Sequence, residues 1–295
     1  MAENLSITQG TITQGEYQGF AALLVRTPFS TAAVSLHGGQ VLSFVVEGFD
    51  DALWLSPDSK RPLAATRGGI PVCWPYFARQ GQPDDVPQHG FVRTQPWQLL
   101  DSSIEDDGTV NLRLAPSSLQ GESLSLEIEL RVGRVLEQSL STRNDGAATR
   151  RFTQALHTYF KVADALQVSV TGLDGCDYLD KNDAMQRHTQ SGEWNLQDPR
   201  DPGRSDRIYA KAGPRFVLAD PLGKRNITLE IEGSCTLVVW NPGKEGQRAF
   251  VDLSAEGWRH FVCLEAANAG EEVIELAPGQ TQVLRHRISV SSLHA

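Results

Sequence analysis

The stretch Leu124-Ser-Leu126-Glu-Ile128-Glu-Leu130-Arg-Val132 alternates apolar residues with polar or charged ones along its whole length. Because side chains of a β-strand point alternately to its two faces, all the apolar residues of this stretch share one face. Such a strand is half-buried, as in an antiparallel sheet that covers a core on one side and meets water on the other. This stretch therefore predicts an antiparallel β-sheet.

The same alternation occurs in Val110-Asn-Leu112-Arg-Leu114 and in Ile227-Thr-Leu229-Glu-Ile231. Further runs rich in apolar and β-branched residues predict strands at Phe20–Arg26, Ala33–His37, Val41–Glu47, Leu166–Val170, Phe216–Ala219, Leu237–Trp240, Phe261–Glu265, Val273–Leu276 and Val283–Val290. Turn-forming residues such as Asn144-Asp145-Gly146 and Pro278-Gly279 separate these runs. We expect only short helical turns, near Ser117–Gln120 and Leu253–Glu256.

Many strands without helical crossovers predict antiparallel sheets packed face to face, which is a large all-β sandwich. No internal repeat or long linker divides the chain. The segment Ser191–Arg207 is rich in Pro, Gly and Asp, but the strands on either side of it look alike. We therefore expect one domain over residues 1–295.

The chain has 295 residues, of which 40% are hydrophobic, and a formal net charge of −9. This length can bury a substantial core. The acidic balance argues against a nucleic-acid partner, although a local cationic site for an anionic small molecule is compatible with it. No apolar run is long enough to span a membrane, and Met1–Ser6 shows no basic or apolar signal segment, so we expect a cytoplasmic protein without a membrane partner.

The cysteines Cys73, Cys176, Cys235 and Cys263 lie far apart and form no Cys-x-x-Cys pair. Reduced thiols are expected, rather than a disulfide framework or a zinc site. No His-x-His, His-Glu-x-x-His or Gly-x-Ser-x-Gly motif and no glycine-rich phosphate loop is present. The histidines without neighbouring chemistry are expected to be structural or exposed: His37, His188, His260, His286 and His294.

The segment Arg67–Arg93 combines cations, aromatic rings and glycines with prolines at 71, 75, 83 and 87. Because proline removes a backbone donor and restricts φ, this segment is predicted to be an irregular loop. Long loops inside compact domains are usually functional or disordered, and this loop is too aromatic to be disordered. We interpret it as one wall of a pocket for a polar, anionic small molecule.

Three other positions are candidates for chemistry. His157 follows the apolar run Phe152–Leu156, and by itself it fits a structural histidine at a strand end. Glu265 would share a strand face with Phe261 and Cys263, and a carboxylate on an apolar face is costly unless it is paired or used. Asp206 follows a turn-rich loop and by itself resembles a surface aspartate.

Taken together, these stretches resemble the glucose-6-phosphate 1-epimerases, the hexose-6-phosphate mutarotases of the aldose 1-epimerase (galactose mutarotase-like) superfamily. The matching motifs occur in the family's order: Arg67-Gly-Gly-Ile-Pro71, Pro87-Gln-His-Gly-Phe-Val-Arg93, His157-Thr-Tyr-Phe160, Ser205-Asp-Arg-Ile-Tyr209, Val239-Trp-Asn-Pro242 and Cys263-Leu-Glu265. The resemblance implies a β-supersandwich, an isomerase activity on a hexose 6-phosphate, and neither a metal nor an organic cofactor.

The resemblance also implies roles for individual residues. His157 matches the family's general acid and Glu265 its general base, while His89 matches a second histidine of the pocket. The substrate-binding positions are matched by Arg67, Gln88, Arg93 and Asp206, with the arginines as the phosphate ligands. Trp74 and Tyr159 are left open between covering a sugar face and packing in the core.

Ring opening of an aldose removes a proton from the C1 hydroxyl and adds one to the ring oxygen, so one base and one acid suffice. We expect the Glu265 carboxylate to raise the pKa of His157, apolar burial to raise the pKa of Glu265, and His89 to stay neutral. We expect the protein to act as a monomer.

Two alternatives remain open at this point. A non-catalytic carbohydrate-binding β-sandwich would use the same arginines and aromatic rings but would need neither an acid nor a base. A glycoside-active enzyme would need two carboxylates roughly 5–10 Å apart, and the sequence offers only Glu265 in that role.

Overall fold

The computed structural model describes residues 9–59, 64–119, 121–200 and 202–293, and their regular structure is almost entirely β. In chain order the strands are β1 Thr11–Tyr17, β2 Phe20–Arg26, β3 Ser30–Ser35, β4 Gln40–Val46, β5 Val72–Cys73, β6 Trp97–Ile104, β7 Val110–Pro116, β8 Leu124–Val132, β9 Leu136–Asn144, β10 Arg150–Phe152, β11 Gln154–Lys161, β12 Ser169–Thr171, β13 Asp177–Asp180, β14 Gln186–Thr189, β15 Ser205–Tyr209, β16 Arg215–Asp220, β17 Arg225–Glu232, β18 Thr236–Asn241, β19 Phe261–Asn268, β20 Ile274–Leu276 and β21 Thr281–Ser292.

Helical structure among the described residues is limited to short turns. One four-residue α-helix, α1, spans Gly243–Gly246. The 3₁₀ turns are Val92–Thr94, Ala165–Gln167, Lys181–Asp183, Gln247–Ala249 and Gly257–His260. Within the described ranges no helix is long and apolar enough to cross a membrane.

The strands form two large antiparallel sheets and two smaller ones. An eight-stranded sheet has the order β12-β16-β17-β21-β9-β8-β7-β6, and a seven-stranded sheet has the order β14-β13-β15-β18-β19-β11-β5. A four-stranded sheet contains β1 to β4 in sequence order, and β10 pairs with β20. The predicted all-β antiparallel sandwich is confirmed.

One continuous hydrophobic core joins these sheets. Strand β8 has the bounds that its alternation predicts, and its apolar residues from Leu124 to Val132 are all buried. They pack in the same cluster as Leu156 of β11, Leu264 of β19 and Val34 of β3. Burying the apolar face of each sheet against the others is the main favourable contribution to the fold.

Strands β11 and β19 of the seven-stranded sheet are buried on both faces. In β19, Val262, Leu264 and Ala266 point into the main core, whereas Phe261 and Cys263 point to the opposite face, into a second apolar cluster. A strand that is covered on both sides has no polar face, so its sequence does not alternate. The opposite face of this sheet is the one that carries the candidate site.

Several local predictions were wrong or incomplete. His157 does not lie at the end of a strand, because β11 starts at Gln154 and continues to Lys161. The predicted strand at Leu166–Val170 is instead a 3₁₀ turn followed by the short β12, since the side chain of Asp164 accepts the backbone N–H of Leu166 and starts the turn. The turn expected at Leu253–Glu256 lies at Gly257–His260.

Residues 117–119 are not helical, while Gln120 and His294 lie outside the described residues. The segment Arg67–Arg93 is mainly irregular as predicted, but it contributes the two-residue edge strand β5 to the seven-stranded sheet. The strands without a clear sequence signal include β1, β6, β9, β13, β14 and β15.

Candidate active site

The site is built around a histidine and a glutamate on neighbouring strands. Strands β11 and β19 pair in an antiparallel register that places His157 directly opposite Glu265. Directly opposite residues share a face of the sheet, so the two side chains meet, with Nε2 of His157 at 3.3 Å from Oε1 of Glu265. The exposed fractions are 8% for His157 and 1% for Glu265.

Burial changes the pKa of both groups. It raises the pKa of Glu265 well above its usual range, and the neighbouring Asp206 raises it further. Burial, together with the positive charges of Arg93 and Arg67, lowers the pKa of His157 to about 3. The expected rise for His157 is therefore wrong, because desolvation and two guanidinium groups outweigh the carboxyl. Both shifts favour the uncharged forms of the pair, which are a protonated carboxyl and a neutral imidazole.

Aromatic rings form the wall on one side of this pair. The Tyr159 ring stacks on the His157 ring with a centroid distance of 4.9 Å and an interplanar angle of 12°. The ring of Trp240 meets the ring of His157 edge to face, with the two ring centroids 5.9 Å apart. Tyr159 belongs to a buried cluster with Trp54 and Phe261, which excludes water from this side and orients the imidazole.

Arg67 is connected to the pair through Tyr159. Its Nη1 donates a hydrogen bond to the Tyr159 hydroxyl at 3.0 Å, and its Nε donates to Oδ1 of Asp252 at 3.2 Å. The guanidinium also lies 4.5 Å from the centre of the Phe250 ring. These contacts hold the cation in one orientation.

The glycines after Arg67 let the loop pack directly against neighbouring backbone. Gly69 has φ of +63°, and a Cβ at this position would lie 2.3 Å from the carbonyl oxygen of Val41. Its N–H donates to the carbonyl of Trp54 at 2.7 Å. A side chain cannot be accommodated here, which is the physical reason for a glycine two residues after Arg67.

His89 lies on the other side of the His157–Glu265 pair. Its ring lies 5.6 Å from the ring of His157, and its Nδ1 accepts the backbone N–H of Ala78 at 3.2 Å. Burial, then the charges of Arg93 and neighbouring groups, lowers the pKa of His89 well below its usual range. A neutral His89 agrees with the expectation, and its Nε2 lies 3.2 Å from the side-chain nitrogen of Gln88.

Arg93 follows the same loop and is less constrained than Arg67. Its Nη2 donates to the carbonyl of Gln88 at 2.7 Å. Its Nε has no hydrogen-bond partner among the described residues. Because its contact is a backbone carbonyl rather than a carboxylate, Arg93 keeps its positive charge available for an anion.

Asp206 enters from β15, where it lies opposite Trp240 of β18. Its Oδ1 is 3.1 Å from the ammonium of Lys181, which belongs to the 3₁₀ turn after β13. The pairing continues from Trp240 to Cys263 and then to Tyr159, so Asp206 belongs to the row of residues next to the His157–Glu265 row.

The structure thus links all the residues proposed from the sequence in one connected set: Arg67, Gln88, His89, Arg93, His157, Asp206 and Glu265. Sequence reasoning missed Lys181, Asp252 and Phe250, since none stands in a motif with chemical character. Trp240 lies in the motif Val239-Trp-Asn-Pro242, but the sequence assigned it no role.

Trp74 lies in the main core, where it is fully buried and its Nε1 donates to Oγ1 of Thr142 at 3.0 Å. Of the two alternatives left open for Trp74, the structure supports packing in the core. Tyr159 is nearly buried as well, but it is part of the site through its stack on His157.

A sandwich of antiparallel sheets that holds a buried histidine–carboxylate pair beside cationic side chains defines a site for acid–base chemistry on a charged small molecule. The family model described as "Aldose 1-epimerase" matches residues 22–289. The chain belongs to this family.

Named relatives agree with this assignment. The chain is 33% identical over 256 residues to a protein from Escherichia coli (strain K12) named "Putative glucose-6-phosphate 1-epimerase", covering 84% of this chain and 83% of the relative. It is 32% identical to a protein of the same name from Cenchrus ciliaris, covering 89% and 81%.

Among solved structures, the chain resembles one described as a "putative mutarotase (YeaD)" from Salmonella typhimurium. The TM-score is 0.85 at 27% identity, with 95% of this chain and 94% of the other covered.

Proposed function

We propose that this protein is an isomerase that interconverts the α and β anomers of a hexose 6-phosphate, with glucose 6-phosphate as the expected substrate. The observation that carries this proposal is the buried His157–Glu265 pair, 3.3 Å apart, within the field of two arginines. The names of the relatives support the choice of a phosphorylated hexose.

The chemistry needs one proton to leave the C1 hydroxyl and one to reach the ring oxygen. We assign the Glu265 carboxylate as the base and the His157 imidazolium as the acid, with the roles reversed when the ring closes on the other face. Positioned proton donors and acceptors each contribute about 10²–10⁴-fold to the rate. The pair carries one proton before and after the reaction, so no proton is consumed.

The phosphate group of the substrate can compensate the arginine charges that disfavour the His157 imidazolium. Without ligand, burial and the charges of Arg93 and Arg67 lower the pKa of His157, and burial raises the pKa of Glu265, so the proton is favoured on the carboxyl. A phosphate dianion next to these arginines compensates their charge, which favours movement of the proton across the 3.3 Å contact to His157. Phosphate binding and formation of the acid–base pair are then one event.

Further roles follow from the contacts of each side chain. Arg93 is the main phosphate ligand, because its guanidinium contacts a carbonyl rather than a carboxylate. Arg67 is a secondary ligand, since Asp252 already neutralises part of its charge. Neutral His89 and Gln88 contact the ring oxygen or a hydroxyl, and Asp206 accepts hydrogen bonds from sugar hydroxyls.

A non-catalytic binding function explains less of the structure. A binding module gains nothing from a carboxyl that is 1% exposed and aligned with a histidine, and burying such a pair is costly.

We also propose that the protein works in the cytoplasm as a monomer and that residues 1–295 act as one domain.

Saturation-transfer NMR between anomers tests this function. We expect the protein to accelerate exchange of glucose 6-phosphate far above the spontaneous rate and to act more weakly on glucose and galactose. Failure to accelerate any of the three sugars, with the fold verified by circular dichroism, would refute the proposal and leave binding without turnover.

A further inference from the structure

The ammonium of Lys181 lies in the site although the proton transfers do not require it. Its Nζ is 3.1 Å from Oδ1 of Asp206, and the exposed side-chain fractions are 30% for Lys181 and 20% for Asp206. The two charged ends are therefore close together and remain accessible.

The polypeptide around Lys181 is built to hold this lysine in place. Asp180 lies just before it, and its Oδ1 accepts the backbone N–H of Asn182 at 2.9 Å to start the 3₁₀ turn. The carbonyl of Asp180 accepts the N–H of Met185 at 2.8 Å. Both ends of the turn are thus fixed through one buried residue.

A buried arginine supports the same turn from below. Arg207 follows Asp206 on β15, so its side chain points to the opposite face, where it is fully buried. There it lies 3.8 Å from Asp180 and 2.9 Å from Asp198. The strand that carries Asp206 and the turn that carries Lys181 are thereby connected beneath the pair.

The lysine also lies within electrostatic reach of the reacting residues. Its charge opposes the effect of Asp206 on Glu265, since Asp206 raises the pKa of that carboxyl and Lys181 lowers it. It also contributes to the low pKa of His157 and of His89. Because Asp206 lies in the row of residues next to the His157–Glu265 row, the Lys181–Asp206 pair stands beside the reacting residues on the same face of the sheet.

Resting on the proposed function, we infer that Lys181 determines sugar specificity: together with Asp206 it recognises two adjacent hydroxyl groups of the hexose ring. The ammonium has only donors and the carboxylate only acceptors, and the two groups are one hydrogen-bond length apart. Neighbouring ring hydroxyls have a similar spacing, and each can accept from Lys181 while donating to Asp206.

The phosphate is a poorer occupant of this position. The Asp206 carboxylate next to the lysine repels a dianion, whereas Arg93 offers a guanidinium without a carboxylate partner in its described contacts. A Lys–Asp pair matches a neutral diol because both of its charges can be satisfied by hydroxyl groups.

The test combines a protein variant with altered substrates. Michaelis constants are measured for the wild type and Lys181→Met with glucose 6-phosphate and its 2-, 3- and 4-deoxy derivatives. In the wild type, removing a recognised hydroxyl is expected to raise KM about tenfold or more, as for a hydrogen bond to a charged group. In Lys181→Met this penalty should become clearly smaller for the recognised hydroxyls, because only Asp206 still contacts them, and should stay the same for the others.

Lys181→Arg serves as the control that keeps the charge, and it should preserve most of the deoxy-sugar penalty. Identical penalties in wild type and Lys181→Met would overturn the inference and assign Lys181 a purely structural role. A KM increase in Lys181→Met for phosphorylated but not free glucose would also overturn it, in favour of a phosphate contact. If the wild type accelerates no sugar at all, the proposed function itself fails, which distinguishes the two results.

Discussion

Two histidines of this protein are both buried but have different surroundings. His157 lies on β11 opposite Glu265, and His286 lies on β21 opposite Gln138 in the eight-stranded sheet. The pKa of each is lowered to about 3. For His286 burial alone is the cause, whereas for His157 the arginines of the site add to it.

The comparison shows that a low pKa does not by itself identify a catalytic histidine. Both ring nitrogens of His286 and both amide atoms of Gln138 lack a hydrogen-bond partner among the described residues. Among the described residues, burial alone accounts for the lowered pKa of His286. A buried histidine becomes useful for proton transfer when a group able to exchange that proton lies beside it, as Glu265 does beside His157.

The largest expected effect separates the two histidines directly. His157→Asn or Glu265→Gln should lower kcat for glucose 6-phosphate at least about a hundredfold, the usual scale of a lost general acid or base. The measurement is equilibration of freshly dissolved α-glucose 6-phosphate, corrected for spontaneous mutarotation. Near-normal rates in a folded variant would contradict the assignment.

A second test removes the strongest charge that distinguishes the surroundings of His157. Arg93→Ala should raise KM for glucose 6-phosphate about 10- to 100-fold, because a charge-assisted hydrogen bond contributes about 1.5–3 kcal/mol. KM for free glucose should change far less, since it has no phosphate. The matched control is Arg113→Ala, which removes a surface arginine paired with Glu127. Equal effects on both sugars would eliminate the phosphate role.

Loss of the same arginine should also change the titration of His157. Arg93 lowers the pKa of His157, so in Arg93→Ala that pKa should rise. Histidine-selective NMR titration can follow this change, and the His286 signal provides an internal reference because burial alone lowers its pKa. A His157 pKa that does not move would contradict electrostatic contact between the arginine and the site.

A smaller effect on KM is expected from removing the hydrogen bond between Arg67 and Tyr159. Tyr159→Phe keeps the ring that stacks on His157 but removes the hydroxyl that accepts from Arg67 at 3.0 Å. We expect KM for glucose 6-phosphate to rise about tenfold, the scale of one hydrogen bond to a charged group. Tyr17→Phe, which changes a tyrosine outside the site, is the control. An unchanged KM would show that Arg67 holds its orientation without Tyr159.

The smallest effect on activity is expected at the core histidine. His286→Leu should change kcat less than about twofold while it alters the pH dependence of stability. A neutral buried histidine has a folded pKa below its unfolded value, so its stabilising contribution is complete above about pH 6.5 and is lost as the pH falls toward 3.

In His286→Leu, the slope of unfolding free energy against pH should decrease by about 1.4 kcal/mol per pH unit inside that window. Urea unfolding at a series of pH values measures it. His157 has the same sign and remains in the variant, so part of the acid sensitivity should persist. A slope identical to that of the wild type would mean that His286 is not neutral in the folded protein.

The bounds of strands with one polar face could be predicted more closely from the sequence than those of strands buried on both faces. Strand β8 could be placed to the residue because Leu124 to Val132 alternate, and β17 was nearly as clear. Strand β11 was truncated in the prediction because both of its faces are buried, so that His157 resembled a strand end. The loop with Arg67 and Arg93 was identified by composition, since prolines and glycines act locally.

The sequence by itself determined the all-β antiparallel class and, through motif resemblance, supplied candidates for the acid, the base and the substrate-binding residues. Only the tertiary structure decided which of these touch: the register of β11 on β19 pairs His157 with Glu265, and the packing of distant loops joins Lys181 to Asp206. It also reversed the expected pKa of His157. Side-chain alternation is a property of neighbouring residues, but strand register, burial and the resulting electrostatics depend on contacts between segments far apart in the chain.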